Sequence, residues 1–201
     1  LQNQPALSLR GQGIFIGFVD TGITYEHPAF RNADGTTRIV GIWDQTVEDG
    51  TPPNGMVYGA FYGEEQINEA LRSERPREIV PEQDENGHGT FLAGVACGST
   101  DGTADFSGAA PLAQIAVVKC KQAKLYLRDY YFIPQGQECY QENDLMMGIS
   151  WLNRFAYERR MPLGLCVGMG SGLGNHVGDE PLAIQCDEFG RRRQRAVVVA
   201  A

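Results

Sequence analysis

The stretch DENGHGTFLAGVACG (84–98) places His88 between Gly87 and Gly89, where an apolar helix begins. Histidine is a poor helix former, so its position there points to work for the ring. A neutral imidazole accepts a proton near neutral pH and returns it. An acid beside it fixes the tautomer and stabilises the imidazolium that forms. The segment GIFIGFVD (13–20) supplies such an acid, Asp20, at the end of an apolar run and just before a Thr21-Gly22 turn. Taken alone, Asp20 also reads as a helix-capping acid. The two residues lie 68 positions apart, so only a fold that gathers strand ends and helix starts on one rim brings them together.

The surrounding pattern predicts such a fold. Short apolar runs at 13–20 and 37–44 read as strands buried on both faces, and those at 113–120, 162–170 and 195–201 read as further strands. Between them, 64–74, 142–159 and 180–192 read as helices with one apolar face, and 89–99 as a buried helix. Strands alternating with helices imply an α/β, doubly wound, mostly parallel sheet covered by helices on both sides. In such sheets active residues collect at the carboxyl ends of the strands. The Gly/Pro-rich segment 47–59 reads as a surface loop, and the sequence shows no internal repeat.

Composition narrows the function. The 201 residues are enough for one well-buried domain, 42% hydrophobic and 21% charged, with net charge −8. That charge disfavours nucleic acid as a partner, and no apolar run approaches the ~20 residues that span a bilayer. Arg191, Arg192, Arg193 and Arg195 form the one strongly basic spot, a solvated helix end or a phosphate site. The five cysteines are scattered, odd in number and without C-x-x-C spacing. Free, mostly buried thiols are expected, with no disulfide framework and no zinc site.

Four segments carry a family resemblance. VDTGITYEHPAF (19–30) resembles the first motif of the subtilisin-like serine peptidases, and NGHGTFLAGVACG (86–98) their histidine motif. SGAAPLAQIAVVKC (107–120) resembles the strand that follows, and CVGMGSGLG (166–174) sits where that family has its substrate-binding strand. The run ITYEHPAFRNADGTTRIVGIWDQT looks closest to the clostridial germination-protease-like branch. The resemblance implies a serine endopeptidase with Asp20 as the triad acid and His88 as the general base. It implies that Gly168, Met169 and Gly170 bind an extended peptide or protein substrate by strand addition, with Gly168 standing where the family has serine. It offers calcium as a ligand, although no loop here is acidic enough to assign; no cofactor is otherwise expected.

The family serine, in a G-T-S motif, has no counterpart here. Ser171, in GMGSGLG, is the only serine in a glycine-rich setting, and the family places it in the groove. RAVVVAA (195–201) resembles a strand that the family continues into G-N, whose asparagine binds the oxyanion. Residues 1–201 therefore read as the N-terminal portion of a subtilase catalytic domain, with serine and asparagine beyond Ala201, and with a sheet edge open to self-association. His27 reads as a turn residue, and His176 as a groove or plain loop residue. Two rivals stand beside this reading. One is an inactive pseudoprotease that binds or signals. The other is a nucleotide-binding domain, for which VDTGIT supplies one glycine where the fingerprint needs three. The compartment stays open: free thiols lean towards a cytoplasmic or spore-associated setting, and a secreted one is compatible.

Overall fold

A computed structural model describes residues 9–100, 106–170 and 177–200. The first apolar run forms β1 (Phe15–Asp20), and the next forms β2 (Ile39–Asp44). Strand β3 (Ala60–Gly63) follows, then helices α1 (Glu64–Arg72), α2 (Pro76–Ile79) and α3 (His88–Cys97). Strand β4 (Gln114–Lys119) leads through α4 (Leu125–Tyr130) to α5 (Glu142–Glu158). Strand β5 (Leu163–Val167), α6 (Pro181–Gly190) and β6 (Arg195–Val199) complete the described chain.

The strands form one sheet in the order β3-β2-β4-β1-β5-β6. All neighbouring pairs are parallel except β2 with β3. The chain leaves β1 towards β2 and leaves β4 towards β5, so the direction of winding reverses between the adjacent strands β1 and β4. That reversal opens a crevice at their carboxyl ends, where Asp20 pairs in register with Lys119.

Each face of the sheet has its own core. On one side Ile67 and Ala70 of α1 and Ala93 and Cys97 of α3 pack against Phe18, Ile42, Ile115 and Val117. On the other, α5 and α6 lay Ile149, Leu152, Phe155 and Phe189 over Phe15, Val19, Val118 and Leu165. Trp43 and Trp151 meet edge to face on this second side, with ring centroids 5.8 Å apart. Burial on both faces explains why the central strands β1, β2 and β4 are apolar throughout, whereas β6 is apolar but largely exposed.

Several expectations need correction. The strand expected over 162–170 stops at Val167, because 168–170 leave the pairing register. Helix α3 is not buried all round: Phe91 and Val95, one turn apart, are exposed. The cysteines are free, but Cys139 and Cys166 are only half-buried. Strand β3 and helices α2 and α4 had no signal in the apolar pattern. No described helix is long and apolar enough to cross a membrane.

Candidate active site

Strand β1 delivers Asp20 to the rim with its side chain 1% exposed, and α3 begins at His88 directly across from it. Asp20 Oδ1 lies 2.8 Å from His88 Nδ1. A carboxylate only accepts, so Nδ1 carries the hydrogen in the neutral ring and Nε2 is the basic nitrogen. The imidazole is 45% exposed, which leaves Nε2 accessible on the rim. The main-chain N–H of Thr21 also donates to Oδ1, at 2.7 Å. Oδ2 has no hydrogen-bond donor among the described residues.

Two glycines set the approach of helix to strand. Gly87 adopts φ +84°, a left-handed conformation that costs other residues strain, and it turns the chain into α3. A β-carbon on Gly89 would strike the carbonyl oxygen of Gly22 and lie 3.1 Å from the Asp20 carboxylate. Gly89 therefore allows close packing rather than a turn. Asn86 closes the loop: its Oδ1 accepts from the His88 N–H at 3.2 Å, and its Nδ2 donates to Glu138 at 2.8 Å.

Asp84 is the residue that reading the chain as motifs missed. Its Oδ1 accepts from Thr21 Oγ1 at 2.8 Å and from the Gly87 N–H at 2.9 Å. Its Oδ2 accepts from the Thr90 N–H at 2.8 Å and from Thr90 Oγ1 at 2.6 Å. Thr21 Oγ1 in turn accepts from the Gly89 N–H at 3.0 Å. One carboxylate thus ties the turn after Asp20 to both sides of His88. Burial pushes Asp84 towards protonation, but the bonds from Thr90, Thr21 and Gly87 outweigh it and hold the group below its ordinary value. Its signal was an acid four residues before the histidine, in a loop whose polar residues all look like ordinary turn formers.

Glu82 sits beneath the same turn and is treated differently. Its Oε1 accepts from the Ile23 N–H at 3.0 Å, while Oε2 is buried without a partner. Burial raises its pKa to about 8, against the opposing effects of the Ile23 bond and of Lys119. Near neutral pH Glu82 is largely a neutral acid.

Gly168 follows β5, and its N–H donates to the Val19 carbonyl at 3.1 Å. A β-carbon there would collide with Asp20 Oδ2. The space that a side chain at this position would need is occupied by the Asp20 carboxylate itself. Met169 is buried and Gly170 exposed, beside Ala200. His27 lies apart from the site and caps the short turn Pro28–Phe30, its Nδ1 accepting from the Ala29 N–H at 3.1 Å. Ser171 and His176 lie outside the described residues. Among the described residues no group of three or more His, Cys, Asp or Glu is arranged to hold a metal ion, so no calcium site is assigned.

The family model for the subtilase family matches residues 11–201. The chain belongs to the subtilase family. Thermitase of Thermoactinomyces vulgaris is 31% identical over 109 residues, covering 54% of this chain and 26% of thermitase. An Arabidopsis thaliana subtilisin-like protease, SBT2.1, is 33% identical over 127 residues, covering 54% of this chain and 15% of that protein. The chain thus spans about a quarter or less of the length of these curated relatives. Among solved structures, the CspB protease of Clostridium perfringens superposes with a TM-score of 0.79 at 33% identity, over 100% of this chain and 38% of that one. The S41 psychrophilic protease, at 18% identity and TM-score 0.53 over 94% of this chain and 45% of its own, shares the fold. The subtilase fold accounts for the reversal between β1 and β4 and for the rim built on it.

Proposed function

We propose that this subtilase chain carries two thirds of the catalytic triad of a serine endopeptidase. The observation that supports it is the buried Asp20 carboxylate 2.8 Å from His88 Nδ1. In the reaction, His88 Nε2 takes the proton from a serine hydroxyl as the serine oxygen bonds to the peptide carbonyl carbon. The carbonyl electron pair moves to its oxygen, and Asp20 stabilises the imidazolium. The imidazolium then protonates the departing amine as the C–N bond breaks. A water molecule completes the cycle by the same proton route.

The serine and an oxyanion-binding asparagine are supplied by residues other than 1–201. In support, Ser73, Ser99, Ser107 and Ser150 are each bonded elsewhere, and none contacts His88. Gly168 packs against Asp20, and Gly168, Met169 and Gly170 line the path of an extended peptide. In the 201-residue chain taken alone, strand β6 pairs only with β5 among the described residues and exposes Val198 and Val199, an edge open to self-association.

Protein expressed from the full gene should be labelled by a serine-directed fluorophosphonate and cleave peptide substrates. His88→Ala should lower kcat on the order of 10⁶-fold, the loss known for the equivalent change in subtilisin. The 201-residue chain alone should stay unlabelled. Absence of labelling in the full-length protein would establish the pseudoprotease reading instead. His88-dependent labelling of the 201-residue chain would place the serine within it.

A further inference from the structure

A cavity of about 610 Å³ lies between α5, α6 and the start of β6. It sits at the amino ends of the strands, whereas Asp20 and His88 sit at the carboxyl ends. The length of β6 alone separates the two poles by roughly 16 Å. Arg154, Arg192, Arg193 and Arg195 line the cavity, and Glu188 is the one acidic residue among its walls. This concentration of positive charge stands in a chain of net charge −8.

The arginines are positioned but not neutralised. Among the described residues none of the four forms an ion pair, whereas Arg191 next to them reaches Asp187 at 3.9 Å. Arg195 is held in place by bonds from Nε to Asn153 Oδ1 at 2.9 Å and from Nη1 to the Met161 carbonyl at 3.2 Å. Burial, and then the positive charge of Arg192, both lower the pKa of Arg195. Among the described residues Arg154 donates to the Asn54 carbonyl, at 3.3 Å. Each unpaired guanidinium keeps part of a rigid donor fork that matches carboxylate and phosphate oxygens. The cavity is of small-molecule size, larger than one phosphate requires, and a ligand with several negative charges relieves the mutual repulsion of its walls.

We propose that this cavity binds a small, multiply charged anion bearing phosphate or carboxylate groups. The basic run at 191–195 is then a ligand site rather than a solvated helix end.

Calorimetry with pyrophosphate and with citrate, on protein expressed from the full gene, tests this without recourse to peptidase activity. At least one anion should bind saturably and one to one, and more weakly as salt rises. Pyrophosphate alone would assign a phosphate ligand, citrate alone a polycarboxylate, and both a site that reads charge. Exposed Arg192 and Arg193 can be removed together without touching the core. The double variant Arg192→Ser, Arg193→Ser should weaken binding at least ~tenfold. Arg191→Ser, outside the cavity, should change it by less than about twofold. Three results would overturn the proposal: no saturable binding of either anion, equal affinity in the double variant, or binding confined to a hexaglutamate peptide.

Discussion

At the carboxyl end of the sheet both oxygens of Asp84 accept two hydrogen bonds each, and the donors come from both sides of the Asp20–His88 pair. At the amino end Arg154, Arg192, Arg193 and Arg195 surround a cavity, and none of them forms an ion pair with any described residue. The first arrangement spends its polar groups internally and gains fixed geometry, which proton transfer to and from one nitrogen requires. The second keeps its polar groups unspent and gains capacity for a ligand. The same chain thus separates holding from binding by a strand's length.

The comparison breaks most directly at Asp84. Asp84→Ala would strand the donors of Thr21, Gly87 and Thr90 in a buried loop, and should cost about 3–5 kcal/mol. Thermal unfolding should fall by at least ~6 °C. A change below about 1 kcal/mol would mean that the rim is not held by this carboxylate.

Glu82 is the exception at the same pole, and it sharpens the rule. Its folded-state pKa, about 8, stands above the ordinary glutamate value of 4.5. Between those values the native state holds a proton that the unfolded chain has released, so stability falls as pH rises through the window. Glu82→Gln keeps an oxygen for the Ile23 N–H and removes the ionisation. The variant should match the parent near pH 4 and exceed it by about 2–4 kcal/mol at pH 9 in denaturant titrations. Parallel pH profiles would contradict the neutral-acid assignment.

Gly168→Ser tests the contact between β5 and the acid. Its β-carbon must displace the Asp20 carboxylate or the strand end, so a loss of about 1–3 kcal/mol is expected. Peptidase activity of the full-length protein should fall with it. A fully active, equally stable variant would show that Asp20 has room to move. The smallest effect belongs to the opposite pole: removing Arg192 and Arg193 together should change stability by no more than about 0.5 kcal/mol. A large loss there would mean that these arginines hold the fold rather than await a ligand.

Most of the sheet was legible because β1, β2, β4, β5 and β6 are apolar on both faces and leave no alternation to misread. Strand β3 escaped because four residues, AFYG, follow a Gly/Pro-rich loop and carry no period of their own. Helix α4 escaped for a similar reason, since none of its residues is buried. The apolar run over 89–99 looked buried because it contains no charged residue, yet its outer face carries exposed Phe91 and Val95. At the site, Asp20 and His88 stand out by residue type and motif. Asp84 does not, because its role depends on donors from two segments that only the fold brings together. The role of Gly168 was equally hidden: nothing in the sequence shows that the Asp20 carboxylate occupies the place of its missing side chain.

The chain has two tryptophans, Trp43 and Trp151, and their rings meet on the α5 side of the sheet. Tryptophan emission, excited selectively at the red edge, therefore reports on one of the two cores alone. The core built from α1 and α3, which seats the histidine loop, contains Tyr25 and Tyr62 but no tryptophan and loosens without a tryptophan signal. Denaturation followed at the tryptophans and by far-ultraviolet circular dichroism should coincide if the sheet couples the two cores into one cooperative unit. If the curves separate, the circular dichroism moves first when the α1–α3 side opens ahead of its partner.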